Sequence, residues 1–438
     1  MKRTHLFWFT QDLRLDDNLA LHQASNCDHL LLVYCLDPAE LTPNRYTLQG
    51  MSQQRIRFLY EGLIDLDQQL KSLQQNLLIC MGNPIEVIST LITQHDVHQV
   101  FASDLVGYNE RNRWNKLVIQ HPQVQFHRSN TTRLYEPEEF PFTLDNLPES
   151  FSGFRKKIEK LAVPPPCPKI THLPASVTHQ HDWPVTIQPP DSDRSSMFLG
   201  GETAAQQHLL NYFDSNAPQH YKETRNALDQ WEDSTKLSPW LAQGSLSVRR
   251  VLASLLQHEA EYGANESTYW IFFELLWREY FHYYALKHRV KLFKFSGIKH
   301  RKPLTSFYPQ RFRSWCEGNT PNRAINACMK QLNSTGYMSN RGRQWVASYF
   351  VNELRLDWRY GAAYFEQQLL DYDVASNWGN WQYLAGVGAD PRGLRQFNLN
   401  KQLQMYDPDG EFVKRWAGKD QPSHIDTVDA ADWPIMRH

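Results

Sequence analysis

Along the first 130 residues, short apolar runs alternate with stretches whose apolar residues recur every three to four positions. His5–Phe9, Leu30–Cys35, Asn76–Cys80, Gln99–Ala102 and Gln123–Phe126 read as buried parallel strands. Asp17–Ala24, Ser52–Leu73, Ile85–His95 and Glu110–Gln120 read as the helices between them. This alternation predicts a doubly wound parallel-sheet α/β domain over residues 1–130. Such a sheet offers a ligand crevice at the carboxyl ends of its strands. No Gly-x-Gly-x-x-Gly follows the first strand, so an ordinary dinucleotide fingerprint is absent.

The pattern then changes. Eleven of the 24 prolines fall between Pro137 and Pro190, and residues 131–196 read as a long surface connector. From Met197 to about residue 420 strand signals vanish and an all-α domain is expected. Its helix candidates are Thr203–Phe213, Pro239–His258, Ser267–Lys287, Arg323–Leu332, Arg341–Leu354 and Ala362–Leu369. Residues 421–438 have little apolar content and read as a flexible tail.

Composition adds two points. The 14 tryptophans exceed what a core of this size requires, which hints at a role for aromatic rings beyond packing. Charge is uneven: residues 1–150 carry 12 Lys/Arg against 18 Asp/Glu, residues 196–438 carry 28 against 25. A polyanion is therefore expected at the C-terminal half. The six cysteines show no metal or disulfide spacing, and the N-terminal apolar run is cut short by Gln11 and Asp12. A cytoplasmic, monomeric protein with reduced thiols, no bound metal and no membrane span is the expectation.

Four segments carry candidate chemistry. Ser234, Thr235, Lys236, Leu237 and Ser238 precede Pro239 with hydroxyls, an ammonium and free amides, Ser238 suiting the N-cap. That arrangement favours an anion such as a pyrophosphate; an ordinary capped helix would look the same. In Ser267–Lys287, Trp270, Glu274, Trp277, Arg278 and Phe281 share one face. An aromatic stripe at that spacing suits a core, whereas the embedded carboxylate and guanidinium suit a cavity wall facing a ligand. Gly336–Gln344 and Asp371–Trp381 are rich in amides, charges and indoles and lack an amphipathic period, so both read as binding loops. Gly386–Arg392, with Arg395 and Lys401, supplies basic groups for phosphates.

With those segments in hand, the chain resembles the photolyase/cryptochrome family, specifically its DASH branch. The likeness runs nearly end to end and is strongest in Tyr221–Asn226, Ser234–Pro239, Glu274–Tyr280, Tyr337–Gln344, Asp371–Tyr383 and Tyr406–Glu411. It implies an antenna domain, a connector and a helical FAD-binding domain, with the cofactor in a U shape. Tyr221 and Ser234–Ser238 would hold its pyrophosphate, Trp270 and Arg278 would contribute to its pocket, and Arg343 and Asp371 would pair beside the ring. Asp373 would sit near the ring's polar edge and Asn377 by its N5. Trp358 and Trp381 would relay electrons to it.

The resemblance also implies a substrate: a cyclobutane pyrimidine dimer flipped out of single-stranded or looped DNA, with RNA as a further candidate. Glu274, Trp277, Asn340, Arg341 and Tyr383 match positions lining that pocket, and Arg225, Gln344 and Arg395 match DNA-facing ones. Classical photolyases carry tryptophan in place of Tyr383 and methionine in place of Gln344, so both positions favour the DASH branch. Asn109 and Glu110 match the pair that holds a 5,10-methenyltetrahydrofolate antenna, although a helix start with an acidic first turn looks the same. Blue-light repair of pyrimidine dimers is thus the expected activity. The competing expectation is a photoreceptor that signals through flavin redox state to nucleic-acid or protein partners.

The chain departs from the family at three places. Thr305 stands where the outermost tryptophan of the relay is expected, leaving Trp315, Tyr308 and Trp378 as alternatives. Ile325-Asn326-Ala327 replaces Val-Asp-Ala, and Pro321-Asn322-Arg323 replaces Gly-Tyr-Pro.

Overall fold

Side chains along a strand alternate between faces, and here both faces are apolar, so the sheet must be covered on both sides. In the computed structural model, which describes residues 3–46, 48–177, 197–389 and 395–421, it is. Residues 178–196 of the expected connector, 422–438 of the expected tail and Arg392 of the basic stretch lie outside the described residues. Two compact units divide the chain: Met1–Lys222 with Ser234–Arg289, and Glu223–Asp233 with Val290–His438.

In the first unit, β1 (Thr4–Phe9), β2 (His29–Leu36), β3 (Leu77–Met81), β4 (Gln99–Ser103) and β5 (Gln125–Ser129) form a parallel sheet ordered β3-β2-β1-β4-β5. A two-residue strand, β6 (Ala175–Ser176), adds to β2. Phe7, Phe9, Leu30 and Leu32 point to the face covered by α1 (Leu19–Ala24) and α2 (Gln53–Ser72). Leu6, Trp8, Leu31 and Val33 point to the face covered by α3 (Pro84–Gln94) and α4 (Tyr108–Gln120). Each large apolar side chain so buried contributes about 1.5–3 kcal/mol. Asn18, Ser52 and Asn83 start α1, α2 and α3 by accepting amide protons of the first turn. The doubly wound sheet expected from the alternation is present, and its order reverses between β1 and β4.

Helices α5 (Phe151–Ile158), α6 (Glu202–Phe213), α7 (Ala217–Thr224), α8 (Ser238–Gln243), α9 (Val248–Tyr262) and α10 (Glu266–His288) follow. Pro239–His258, expected as one helix, is two. Gly244 between them has φ +77°, and a Cβ there would lie 1.9 Å from the Gln11 carbonyl oxygen. Only glycine fits this close approach. Buried polar groups bind α6, α9 and α10 to the sheet's loops. Glu202 accepts from the Leu15 and Asp16 amides at 2.8 and 2.9 Å. Arg250 grips Asp16 through Nε and Nη2 at 2.8 and 2.7 Å. The fully buried Arg14 guanidinium donates to the carbonyls of Asp16, Asp17, Thr131 and Gly244. Such groups are tolerated inside because their bonds are made.

The second unit is built from α11 (Pro309–Glu317), α12 (Arg323–Thr335), α13 (Asn340–Asn352), α14 (Trp358–Gln368), α15 (Val374–Leu384), α16 (Leu399–Tyr406) and α17 (Glu411–Arg415). Trp315, Trp345, Trp358 and Trp381 are buried within it, so the tryptophan excess does serve a core. Asp371–Trp381, expected as a loop, is helical from Val374, and the helix expected from Arg341 begins at Asn340, within the stretch Gly336–Gln344 that also read as a binding loop. Ser339 caps α13 through the Gly342 amide and Asp373 caps α15 through the Ser376 amide. Both helices are buried over most of their surface, which erases the amphipathic period. The departure at Asn326 has a structural account as well. Its buried amide accepts from Thr320 and donates to the Thr320 and Lys419 carbonyls, closing the loop before α12.

At the carboxyl end of β4, Asp104 receives Arg111 at 2.7 Å, Arg133 at 3.0 Å and Arg128 at 3.5 Å. Burial works to raise its carboxyl, but the three guanidiniums outweigh it and hold the pKa below the ordinary 3.8. A depressed folded pKa stabilises the fold above pH 3.8 and loses that contribution as pH falls through the folded value. Asp104→Asn should therefore cost about 1.5–3 kcal/mol at pH 7 and flatten the acid limb of the stability curve. Urea unfolding from pH 7 to pH 3 measures both, and an unchanged acid limb would count against the cluster.

Candidate functional site

The expected site residues divide between the units. In the first, α10 turns Trp270, Glu274, Trp277 and Arg278 to one half-buried face, while Glu279 and Tyr280 point into the core. The helix is started by Asn265, which exchanges hydrogen bonds with Thr268. Glu279 fixes its position: the carboxylate, fully buried, accepts from the Leu134 and Tyr135 amides at 3.0 and 3.1 Å. No sequence reading assigned Glu279 a role. Its signal was a carboxylate two residues beyond Trp277, on the opposite face of the stripe. Phe151 stacks on Trp277 with centroids 3.8 Å apart and planes at 12°, so one indole face is already occupied. Arg278 gives a guanidinium proton to the Thr132 carbonyl.

The segment before α8 differs from expectation in one detail. Leu237 occupies the N-cap position and makes no side-chain cap bond, while Ser238 is already helical. Lys236 is buried, adopts φ +52° and turns its ammonium to the Ser234 hydroxyl at 2.9 Å. The Thr235 carbonyl faces His208 Nε2 at 2.8 Å. Tyr221, on α7, is buried. In the same unit, Asn109 and Glu110 lie in the first turn of α4; Asn109 is exposed and Glu110 folds back over Gly107.

In the second unit, two helices packed against each other carry the densest chemistry. Trp358, Gly361, Ala362, Phe365 and Glu366 line one face of α14, and Asn377, Trp378 and Trp381 line the facing side of α15. A Cβ on Gly361 would fall 2.2 Å from Trp381 Cη2, so the missing side chain is what admits the indole. One turn up α15, Asn377 donates to the Ala362 carbonyl at 2.9 Å. The Asn377 amide oxygen is buried and has no hydrogen-bond partner among the described residues. Trp358 and Trp378 meet edge to face with centroids 5.8 Å apart. Trp378 turns its Nε1 proton to Glu366 at 3.2 Å and Tyr372 at 3.3 Å.

Around this pair, Arg343 on α13 bonds Asp371 at 2.8 Å. Burial works against its charge and Asp371 more than offsets this, holding the guanidinium above its ordinary value. Asp373 is committed to its cap. Asn340, at the start of α13, is exposed. Arg341 bonds Asn226 at 2.7 Å and Gln344 at 3.0 Å and lies 4.8 Å over the Tyr406 ring. Burial pushes its pKa down, and the charge of Arg225 adds to that effect. Arg395 donates to the Tyr383 hydroxyl and lies 4.8 Å over that ring, its own carbonyl held by Ser348 and Asn352. Thus Arg225, Arg341 and Gln344 form one cluster, Tyr383 and Arg395 a second, and Arg343, Asp371, Asn377, Trp381 and Trp358 belong to α13–α15 and their connections.

Residues 5–170 match the family model described as DNA photolyase, and residues 270–427 match that described as the FAD binding domain of DNA photolyase. The chain is 51% identical to a cryptochrome DASH of Idiomarina loihiensis over 99% of its own length and 97% of the relative's. A cryptochrome DASH of Vibrio parahaemolyticus is 46% identical, covering 99% and 98%. The crystal structure of the Synechocystis sp. PCC6803 cryptochrome superposes with a TM-score of 0.90 at 36% identity, covering 94% of this chain and 88% of that one.

The residues present fit a flavin. A buried amide oxygen without a partner at Asn377 needs a donor to offset its burial, and an isoalloxazine edge has one. Gly361 gives the test of the Trp381 seat. Gly361→Ala should displace a fully buried indole and cost about 1–3 kcal/mol, read as a lowered urea midpoint with altered near-UV circular dichroism. Unchanged stability would mean that the two helices are not locked at this contact.

Proposed function

The chain belongs to the photolyase/cryptochrome family, in its DASH branch, and from that premise we propose that it repairs cyclobutane pyrimidine dimers with blue light, chiefly in single-stranded or looped DNA. The coarser part is established by membership: this is an FAD-binding flavoprotein with a photolyase-like fold. When bound, FAD absorbs the light and supplies the electron, since side chains absorb no blue light. The observation that carries the reading is the α14/α15 face, where Asn377 presents a buried acceptor one turn from an indole wedged against Gly361.

The chain's own residues would take the following parts. Tyr221 and Ser234–Ser238 hold the cofactor's pyrophosphate, Lys236 supplying the counter-charge. Trp270 and Arg278 would line its pocket, and Asp371, with Arg343 as its ion-pair partner, and Asp373 would hold the ring. Trp358 and then Trp381 would pass electrons inward to the cofactor. Trp277 offers its uncovered surface to a flipped base, while Glu274 and Asn340 hydrogen-bond base edges and Glu274 can share a proton with the cleaving dimer. Arg225, Arg341, Gln344 and Arg395 meet the backbone, with Tyr383 held ready for stacking. A flipped base costs least where the strand is already single, which favours looped DNA and extends the reading to RNA. Asn109 and Glu110 would hold a methenyltetrahydrofolate antenna. A monomeric cytoplasmic protein completes the proposal; among the described residues no helix is long and apolar enough to cross a membrane.

The test is illumination of the flavin-reduced protein with an oligonucleotide bearing one thymine dimer, as single strand and as duplex. Repair should be faster in the single strand, and Glu274→Ala should lower repair by about 10²-fold while the bound flavin's absorbance stays unchanged. No repair of either substrate would exclude the enzymatic reading. Light-dependent DNA or partner binding under the same conditions would favour the photoreceptor.

A further inference from the structure

A tryptophan oxidised in a relay holds its hole only if something removes the indole proton, because the indole radical cation is a far stronger acid than indole itself. The acceptor beside each Nε1 therefore decides where the hole comes to rest. Trp358 gives its proton to the Phe295 carbonyl at 3.0 Å, and Trp315 gives its own to the Val346 carbonyl at 3.2 Å. A peptide carbonyl accepts a hydrogen bond and cannot take up the proton. Trp378 is placed differently. It touches Trp358 at 5.8 Å, it is buried, and its Nε1 proton points at the Glu366 carboxylate at 3.2 Å, with Tyr372 Oη at 3.3 Å. Glu366 and Tyr372 are only half buried, which gives the proton a path to water.

We propose that Trp378 is the terminal electron donor of this chain and Glu366 the base that traps the hole there. The step balances within the protein. Trp358, oxidised in the relay proposed above, takes one electron from Trp378 and returns to its neutral state. Trp378 then loses its Nε1 proton to Glu366, leaving a neutral tryptophanyl radical and a protonated carboxyl. The oxidant at the head of the relay is the photoexcited flavin, so the inference rests on that reading. It also accounts for Thr305: with a proton-accepting partner one contact from Trp358, the outer tryptophan position is not needed. The alternative branch runs from Trp381 to Trp315 at 6.2 Å and on to Tyr364 at 5.5 Å. That tyrosine's hydroxyl bonds Asn333 Oδ1 and the Cys316 carbonyl, neither of them a base, and burial raises its pKa.

Transient absorption of the FAD-loaded protein in its oxidised state, after a blue flash, separates tryptophanyl cation, neutral tryptophanyl and tyrosyl radicals. The natural chain should give a long-lived neutral tryptophanyl radical. Trp378→Phe should abolish it, and Glu366→Gln should slow the cation-to-neutral step on the order of 10²-fold while leaving the initial yield intact. Trp381→Phe, in the same series, should remove every protein radical. If Trp378→Phe leaves the neutral radical's yield and lifetime unchanged, or the natural chain ends on a tyrosyl radical, Trp378 is not the terminus although the relay stands. If the natural chain gives no protein radical, the relay itself falls, and the proposal with it. Should Trp378→Phe fail to bind flavin, Glu366→Gln alone decides: an unaltered deprotonation rate refutes the assignment.

Discussion

The closeness of α14 and α15 is the constraint on which the second unit's chemistry depends. Two helices can approach this nearly only where one side contributes almost no side chain, and here Gly361 and Ala362 provide that gap. Trp381 fills the space over Gly361, and its ring is boxed further by Phe350 at 5.5 Å and Phe365 at 5.2 Å. The same approach lets Asn377 reach the Ala362 carbonyl and brings Trp378 against Trp358 and Glu366. One packing decision thus sets an amide acceptor, a group of indoles and a carboxylate against one another. A larger residue at position 361 would disturb all of them together, because close-packed interiors transmit a displacement rather than absorb it.

The first unit solves a different problem, that of fastening helices to a parallel sheet through polar groups. Arg14, Glu202 and Glu279 are each almost wholly buried, and each is answered by main-chain atoms of a loop. Burying such groups without partners would be strongly destabilising, and with partners they specify one arrangement of loop and helix. The half-buried face of α10 inherits its orientation from this scheme. Glu279 holds the helix by two amides, so Glu274 and Trp277 are presented on the other side in a fixed register.

How much of this was legible in the chain follows from which physical signal each part leaves. The sheet was readable because a strand apolar on both faces and an amphipathic helix have different periods, and both recur along β1–β5. The break at Gly244 was not, since it depends on the approach of Gln11, far away in sequence. Helix α15 was hidden for another reason. Buried on most sides, it carries no polar face, so a segment dense in chemistry did not look helical. Resemblance to a family supplied the candidate site residues there, where periodicity was silent. It gave no hint of Glu366, which earns notice only once α14 is known to be helical from Trp358 onward and position 366 falls on the Trp358 face.

That last residue shows how geometry refines a motif. Asp371–Trp381 reads as a list of amides, carboxylates and indoles, each of them suited to face a ligand. The fold assigns them separate duties by the partner each one meets. Asp373 is spent on a helix cap, Asp371 on the charge of Arg343, Asn377 on a carbonyl with its oxygen left over, and Trp378 on a carboxylate from the neighbouring helix. Two indoles of similar burial, Trp358 and Trp378, then differ in kind: one donates its proton to a group that cannot accept it fully, the other to a group that can. Proximity permits an electron to move between them, but only the second can be left oxidised and neutral. In the proposed relay, direction would therefore be set by acid–base chemistry at the outer end as much as by the spacing of the rings.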